Sequence, residues 1–156
     1  MWLFSLLTGC DPQRIAELEE GVATEADVRA RFGEPVAVYD EAAGARTFEY
    51  PRQPEGQRNY MITIGADGKM SALRQVLTAA NFARVVPGMA KDEVRRLLGR
   101  PAKTSVYALS PNEDWDWRFL DGTQNKVFTV SFDKQSGRVL SSVAAADPRD
   151  LHQTGG

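Results

Sequence analysis

One pattern is written twice in this chain, and the duplication limits its fold more than any single residue does. Gly88 to Pro101 reads Gly-Met-Ala-Lys-Asp-Glu-Val-Arg-Arg-Leu-Leu-Gly-Arg-Pro, and its counterpart runs from Gly21 to Pro35. Val28, Phe32, Gly33 and Pro35 align with Val94, Leu98, Gly99 and Pro101 at a constant separation of 66 residues. The separation becomes 67 for Phe48 and Tyr50 against Trp115 and Trp117, 68 for Ile62 and Ile64 against Val130 and Phe132, and 69 for Gly68 against Gly137. Increments of one residue fit loops, where an added residue disturbs no packing. What repeats is therefore a whole folding unit, and within 156 residues each copy is small enough to be marginal alone.

The same plan can be read in both copies. Thr24 with Asp27 three residues later predicts a helix N-cap, Val28 and Phe32 share one helix face, and Gly33 and Pro35 stop the helix in a left-handed turn. Alternation at Thr47 to Tyr50, an apolar β-branched run at Tyr60 to Ile64, and Lys69 to Val76 after Ala66-Asp67-Gly68 predict three strands. Pro51 to Asn59 reads as an exposed loop. In the second copy Ala90 replaces Thr24, a poorer cap, while Val94, Leu97 and Leu98 form the helix face. Strands are expected over the Trp115 to Phe119 row, Val127 to Phe132 and Arg138 to Val143. The expected class is α+β: two tandem units, each one or two helices followed by a three-stranded antiparallel meander, over 11–80 and 81–146, with 147–156 a disordered tail.

Composition narrows the function. Apolar residues make up 42% and charged residues 26%, as in an ordinary globular protein. A net charge of −2 and the absence of a basic run argue against nucleic acid. Residues 1–9 are apolar but far too short to span a bilayer, which needs about 20 residues. They lead into Leu7-Thr8-Gly9-Cys10, which is similar to a bacterial lipobox, so 1–10 is expected to be a partial lipoprotein signal with Cys10 as the lipidated residue. The bland alternative is an apolar tail with an ordinary thiol. One cysteine and one histidine, His152, make neither a cysteine nucleophile pair nor a zinc site.

Trp115, Trp117 and Phe119 alternate with Asp114, Asp116 and Arg118, giving one aromatic and one charged strand face. The aromatic row with Arg118 is the candidate partner-binding surface, since such residues dominate interface energetics; core packing under the helix Asp92 to Leu98 is the competing reading. Asp114 and Asp116 read as a solvated face rather than an acid/base pair. Asp133 to Gly137 lacks the alternating acidic ligands of a calcium loop. No catalytic set, metal site, cofactor or small-molecule substrate is expected.

Gly-Met-x-x-x-Glu-Val-x-x-x-Leu-Gly-x-Pro, then Trp-x-Trp, then Phe-Asp-x-x-x-Gly-x-Val resembles the SmpA/OmlA family of small BamE-like bacterial lipoproteins, closely over Val86 to Val143 and more loosely over Glu20 to Val76. The resemblance implies lipid attachment at Cys10 and a non-catalytic role among outer-membrane assembly proteins, or in envelope integrity. Two units in tandem are also similar in layout to the β-lactamase inhibitor proteins, so a periplasmic module that inhibits or caps an enzyme is the alternative. The implied location is the periplasmic face of the outer membrane; Asp11 after the lipobox resembles an inner-membrane retention signal.

Overall fold

Thr24 starts the first helix by supplying a partner for a donor that the helix cannot satisfy internally. Its hydroxyl accepts from the Asp27 N–H at 3.2 Å, while the Asp27 carboxylate accepts from the Thr24 N–H at 3.0 Å. Helix α1 spans Glu25–Phe32 in the computed structural model, which describes residues 17–150. Gly33 ends it at positive φ, 81°, as expected, but with ψ at −160°, a region that belongs almost entirely to glycine and lies outside the left-handed helical well.

Four strands follow: β1 (Ala37–Asp40), β2 (Arg46–Pro51), β3 (Asn59–Ile64) and β4 (Met70–Gln75), paired antiparallel in that order. Helix α2 (Ala79–Phe82) and helix α3 (Lys91–Leu98) come next, and then a second antiparallel sheet of β5 (Lys103–Val106), β6 (Asn112–Asp121), β7 (Gln124–Asp133) and β8 (Val139–Ala146), again in sequence order. The protein is α+β. Each sheet has four strands where three were expected: β1 and β5 hold four residues each, too few for alternation to show in the sequence.

The described residues divide into two compact units, one comprising 17–48 with Ile62–Leu73, the other Glu49–Met61 with 74–150. In the first, Val28 of α1 and the sheet residues Phe48, Ile62, Ile64 and Met70 are all without exposed surface. The guanidinium groups of Arg29 and Arg46 lie 4.9 and 5.3 Å from the Phe48 ring, and both pair with Glu25. Hydrogen bonds from Arg46 and Arg29 hold the Glu25 carboxyl below the usual carboxylate range, against the opposing effect of burial.

In the second unit Val94 and Leu98 of α3 and Phe82 of α2 cover one face of β6 and β7, where Trp117, Phe128, Val130 and Phe132 form the core. Gly99 ends α3 at φ 78° and ψ −170°. The segment Glu49–Met61 belongs to this unit and holds α3 at two points and β6 at a third. Arg95 donates to both carboxylate oxygens of the fully buried Glu49, at 3.0 and 2.8 Å. The Asn59 carboxamide donates to the carbonyls of Leu98 and Arg100 at 2.8 and 3.0 Å, supplying partners for the acceptors that a helix end leaves over. The Gln53 carboxamide exchanges two hydrogen bonds with the Arg118 backbone, 2.7 and 3.0 Å, just beyond the point where β5 stops pairing with β6. A side chain there continues the work of a strand. Pro51 to Asn59 is therefore only partly the exposed loop expected, since Gln53 and Asn59 are buried.

Beyond β8, Asp147, assigned from sequence to a disordered tail, is 2% exposed and accepts from the Arg118 Nε at 2.8 Å. Residues 151–156, the rest of that expected tail, and 1–16, with the expected signal segment and Cys10, lie outside the described residues.

Candidate functional site

The aromatic row sits where strand periodicity puts it, but it faces inward. Trp117 has no exposed surface and donates its indole N–H to the Gly99 carbonyl at 3.0 Å, tying β6 to the end of α3. Phe119 meets Phe82 edge-on with ring centroids 4.7 Å apart, and Phe82 stacks on Phe128 at 4.2 Å. Trp115 is only half-buried, packed on Phe132 at 4.8 Å. Lys91 lies 5.8 Å from the Trp115 ring and pairs with Glu113. The Lys91 ammonium holds the Glu113 carboxyl below its usual range, against the opposing effect of burial.

The expected docking residues Trp115, Trp117, Phe119 and Arg118 are accordingly placed as core and clamp. Covering one face of a small sheet takes large side chains, and these are the ones available. Arg118 is spent on Asp147 and the Pro54 carbonyl, the latter at 3.1 Å. On the opposite face Asp116 accepts from Thr129 and Asp114 from Ser131, at 2.6 and 2.7 Å, cross-strand pairs of a polar sheet surface. Asp133 ends β7 and starts the turn to β8. Its carboxylate accepts from the Ser136 N–H at 2.8 Å, which lowers its pKa.

Three surface features remain in the second unit. The β5–β6 turn exposes Val106, Tyr107 and Leu109, Leu109 completely. A groove of about 290 Å³ lies among Leu77, Phe82, Phe119 and Phe128, with the ion pair of Asp121 and Lys126 among its lining residues. It is apolar and smaller than most ligand pockets, which run from about 300 Å³ upward. The third is β8, exposed from Leu140 to Ala146. Among the described residues no group of three or more His, Cys, Asp or Glu is placed to hold a metal ion, and no helix is long and apolar enough to cross a membrane.

The family described as the outer membrane protein assembly factor BamE domain matches residues 75–139. The chain carries a BamE-like domain. That domain begins at the end of β4, contains α2, α3 and β5–β7, and closes at Val139, the first residue of β8. No curated protein matches the chain by sequence. Among solved structures it is similar to a putative osmotically inducible lipoprotein, OsmE, at 25% identity and a TM-score of 0.39, over 52% of this chain and 92% of that one. It is also similar to a DUF4309 family protein, YjgB, from Bacillus subtilis, at 18% identity and 0.35, over 87% and 86% of the two chains. An extracellular SCP-domain protein from Bacillus anthracis follows at 11% identity and 0.35, over 97% and 51%.

The BamE-like domain also draws on residues outside its matched segment. Glu49, Gln53 and Asn59 precede it by 16 residues or more. No sequence signal marks them as partners of Arg95, Arg118 and Leu98; Pro51 and Pro54 instead suggest a loop.

Proposed function

We propose that this chain is a non-catalytic envelope lipoprotein, an accessory or scaffold in outer-membrane β-barrel assembly or envelope integrity. The BamE domain match over 75–139 carries this reading. In it, the protein is two tandem BamE-like units, 11–80 and 81–146, tethered through lipid on Cys10 and facing the periplasm from the outer membrane, with Asp11 pointing to the inner membrane as the other address. Three acyl chains on an N-terminal cysteine would anchor it firmly, where one chain is marginal. Trp115, Trp117, Phe119 and Arg118 serve partner binding from beneath, by fixing the strand beside which the exposed Val106–Leu109 turn projects.

Two experiments test this. Mass spectrometry of the native protein from membranes should find Cys10 acylated, and Cys10→Ala should release the chain into the soluble fraction; an unmodified cysteine removes the anchor. Affinity purification from detergent-solubilised envelopes should recover barrel-assembly components. Recovery of a soluble periplasmic hydrolase instead would favour the enzyme-capping reading.

A further inference from the structure

The last strand, β8, has an outer edge unlike the others. Its register with β7 pairs Ala146 with Lys126, Ala144 with Phe128 and Ser142 with Val130. The Asp147 N–H donates to the Asn125 carbonyl. In an antiparallel ladder this phase turns the backbone groups of Ser141, Val143 and Ala145 toward β7 and those of Ser142, Ala144 and Ala146 away from it. Among the described residues no hydrogen bond covers the outward groups of these three. Only the first residue is capped: Val139 exchanges hydrogen bonds with Gly88 and Met89, at 2.8 and 2.9 Å.

Edges of this kind are normally blunted by charge, proline, brevity or a covering segment. Strands β1 and β5 are four residues long. β4 is capped at its start by the same device as β8, Gly21 and Ala23 bonding Met70 at 2.7 and 2.8 Å. It also has a second guard, because the Leu73 N–H donates to the Glu20 carboxylate at 3.2 Å. By the spacing of 69, Leu73 corresponds to Ser142, and since Gly21 and Gly88 make the same cap, Glu20 corresponds to Pro87, which has no carboxylate to offer. From Val139 to Ala146 β8 contains neither charge nor proline.

We propose that β8 is a pairing edge for a second copy of this chain, joined antiparallel about a two-fold axis at Val143. This register opposes Ser142 to Ala144 and Leu140 to Ala146, so all cross-strand neighbours are small or apolar and none repel. Val143, 61% exposed in the single chain, gains its own counterpart as neighbour, and Leu140, 47% exposed, gains Ala146. Arg138 of each copy comes alongside segment 147–150 of the other, where Asp150 is opposite in sign, Arg149 pairs with Asp147, and Asp147 is buried and held by Arg118 of its own chain. Both helical layers fall on the same side, giving a continuous eight-stranded sheet. The pairing adds an edge without inserting anything into the Phe82–Phe119–Phe128 groove. A single strand pair is smaller than a standard stable interface, so the association is weak and concentration-dependent.

Sedimentation or light scattering of the full chain from about 5 µM to about 1 mM, a span suited to weak association, tests the proposal. The mass should rise toward twice that of one chain. Val143→Lys, which sets like charges opposite each other, and Ser142→Pro, which removes an outward donor while sparing the ladder to β7, should each raise the dimer Kd about tenfold or more. Circular dichroism and melting of the single chain should stay unchanged in Val143→Lys. A chain that remains monomeric across the range, or a dimer indifferent to both substitutions, overturns the proposal. So does dimerisation seen only after truncation at Asp150, which would give the edge to residues 151–156 of the same chain.

Discussion

Helices α1 and α3 have the same length and the same glycine stop, but they are held by different means. α1 is capped from its own sequence through Thr24 and Asp27, and its last-turn Arg29 pairs with Glu25 and Glu34 at the surface. α3 has no side-chain cap at Ala90; its hold is at the other end, where Arg95 reaches buried Glu49 and Asn59 takes up the carbonyls of Leu98 and Arg100. The difference teaches that one helix pattern can be stabilised by neighbours in sequence or by residues 39 to 46 positions away. Only the first kind shows in the local sequence.

The sharpest way to break the comparison is at the two stops. Both glycines have positive φ, which costs another residue about 1 to 3 kcal/mol. A Cβ at Gly33 would meet nothing within 4 Å, whereas one at Gly99 would fall 2.9 Å from the Asn59 Nδ2. Gly99→Ala should therefore destabilise by about 3 kcal/mol or more and Gly33→Ala by about 1 to 2, measured by urea unfolding. Next comes the ion pair: Arg95→Ala takes two charged hydrogen bonds from a fully buried carboxylate and should cost about 2 to 3 kcal/mol, while Arg29→Ala at the surface should cost less than about 1. Equal losses in the two arginine variants would show that α3 is not clamped.

Smaller effects sharpen the contrast. Asn59→Ala removes two hydrogen bonds to helix-end carbonyls and should cost about 2 kcal/mol. Thr24→Ala should cost about 1 kcal/mol, and Ala90→Thr should gain up to about 1, because only α3 lacks a cap. The mildest test is acid. Glu25 in one unit and Glu113 in the other have lowered folded-state pKa values, set chiefly by Arg46 and Lys91. Lowered carboxyl pKa values give stability that is complete above the unfolded value near 4.5 and is lost as pH falls through the folded values. Glu25→Gln and Glu113→Gln should each flatten the loss of melting temperature below about pH 4.5. Both carboxylates keep some solvent contact, which keeps the effect modest.

What could be read from the sequence follows the same division. The capping box, both glycine stops, the long strands of both sheets and the inward period of Trp115, Trp117 and Phe119 are local patterns with local causes. Four-residue strands left no period to detect. Gln53 and Asn59 were hidden by prolines that correctly signal a turn but say nothing about what its side chains grip. Asp147 was hidden by the polar run after it. For the candidate site, the aromatic row admitted both core packing under the helix and a partner surface, and the demand for a covered sheet face places Trp117 and Phe119 in the core.

The carboxamide of Gln53, standing in for a missing stretch of strand beside Arg118, bears on how this protein can be cut for laboratory use. A clone beginning at residue 75, where the family resemblance starts, would leave behind the groups that close the β6 margin and the end of α3. Its product should be prone to clumping and proteolysis. A fragment meant to behave as the BamE-like half needs to begin upstream of Glu49.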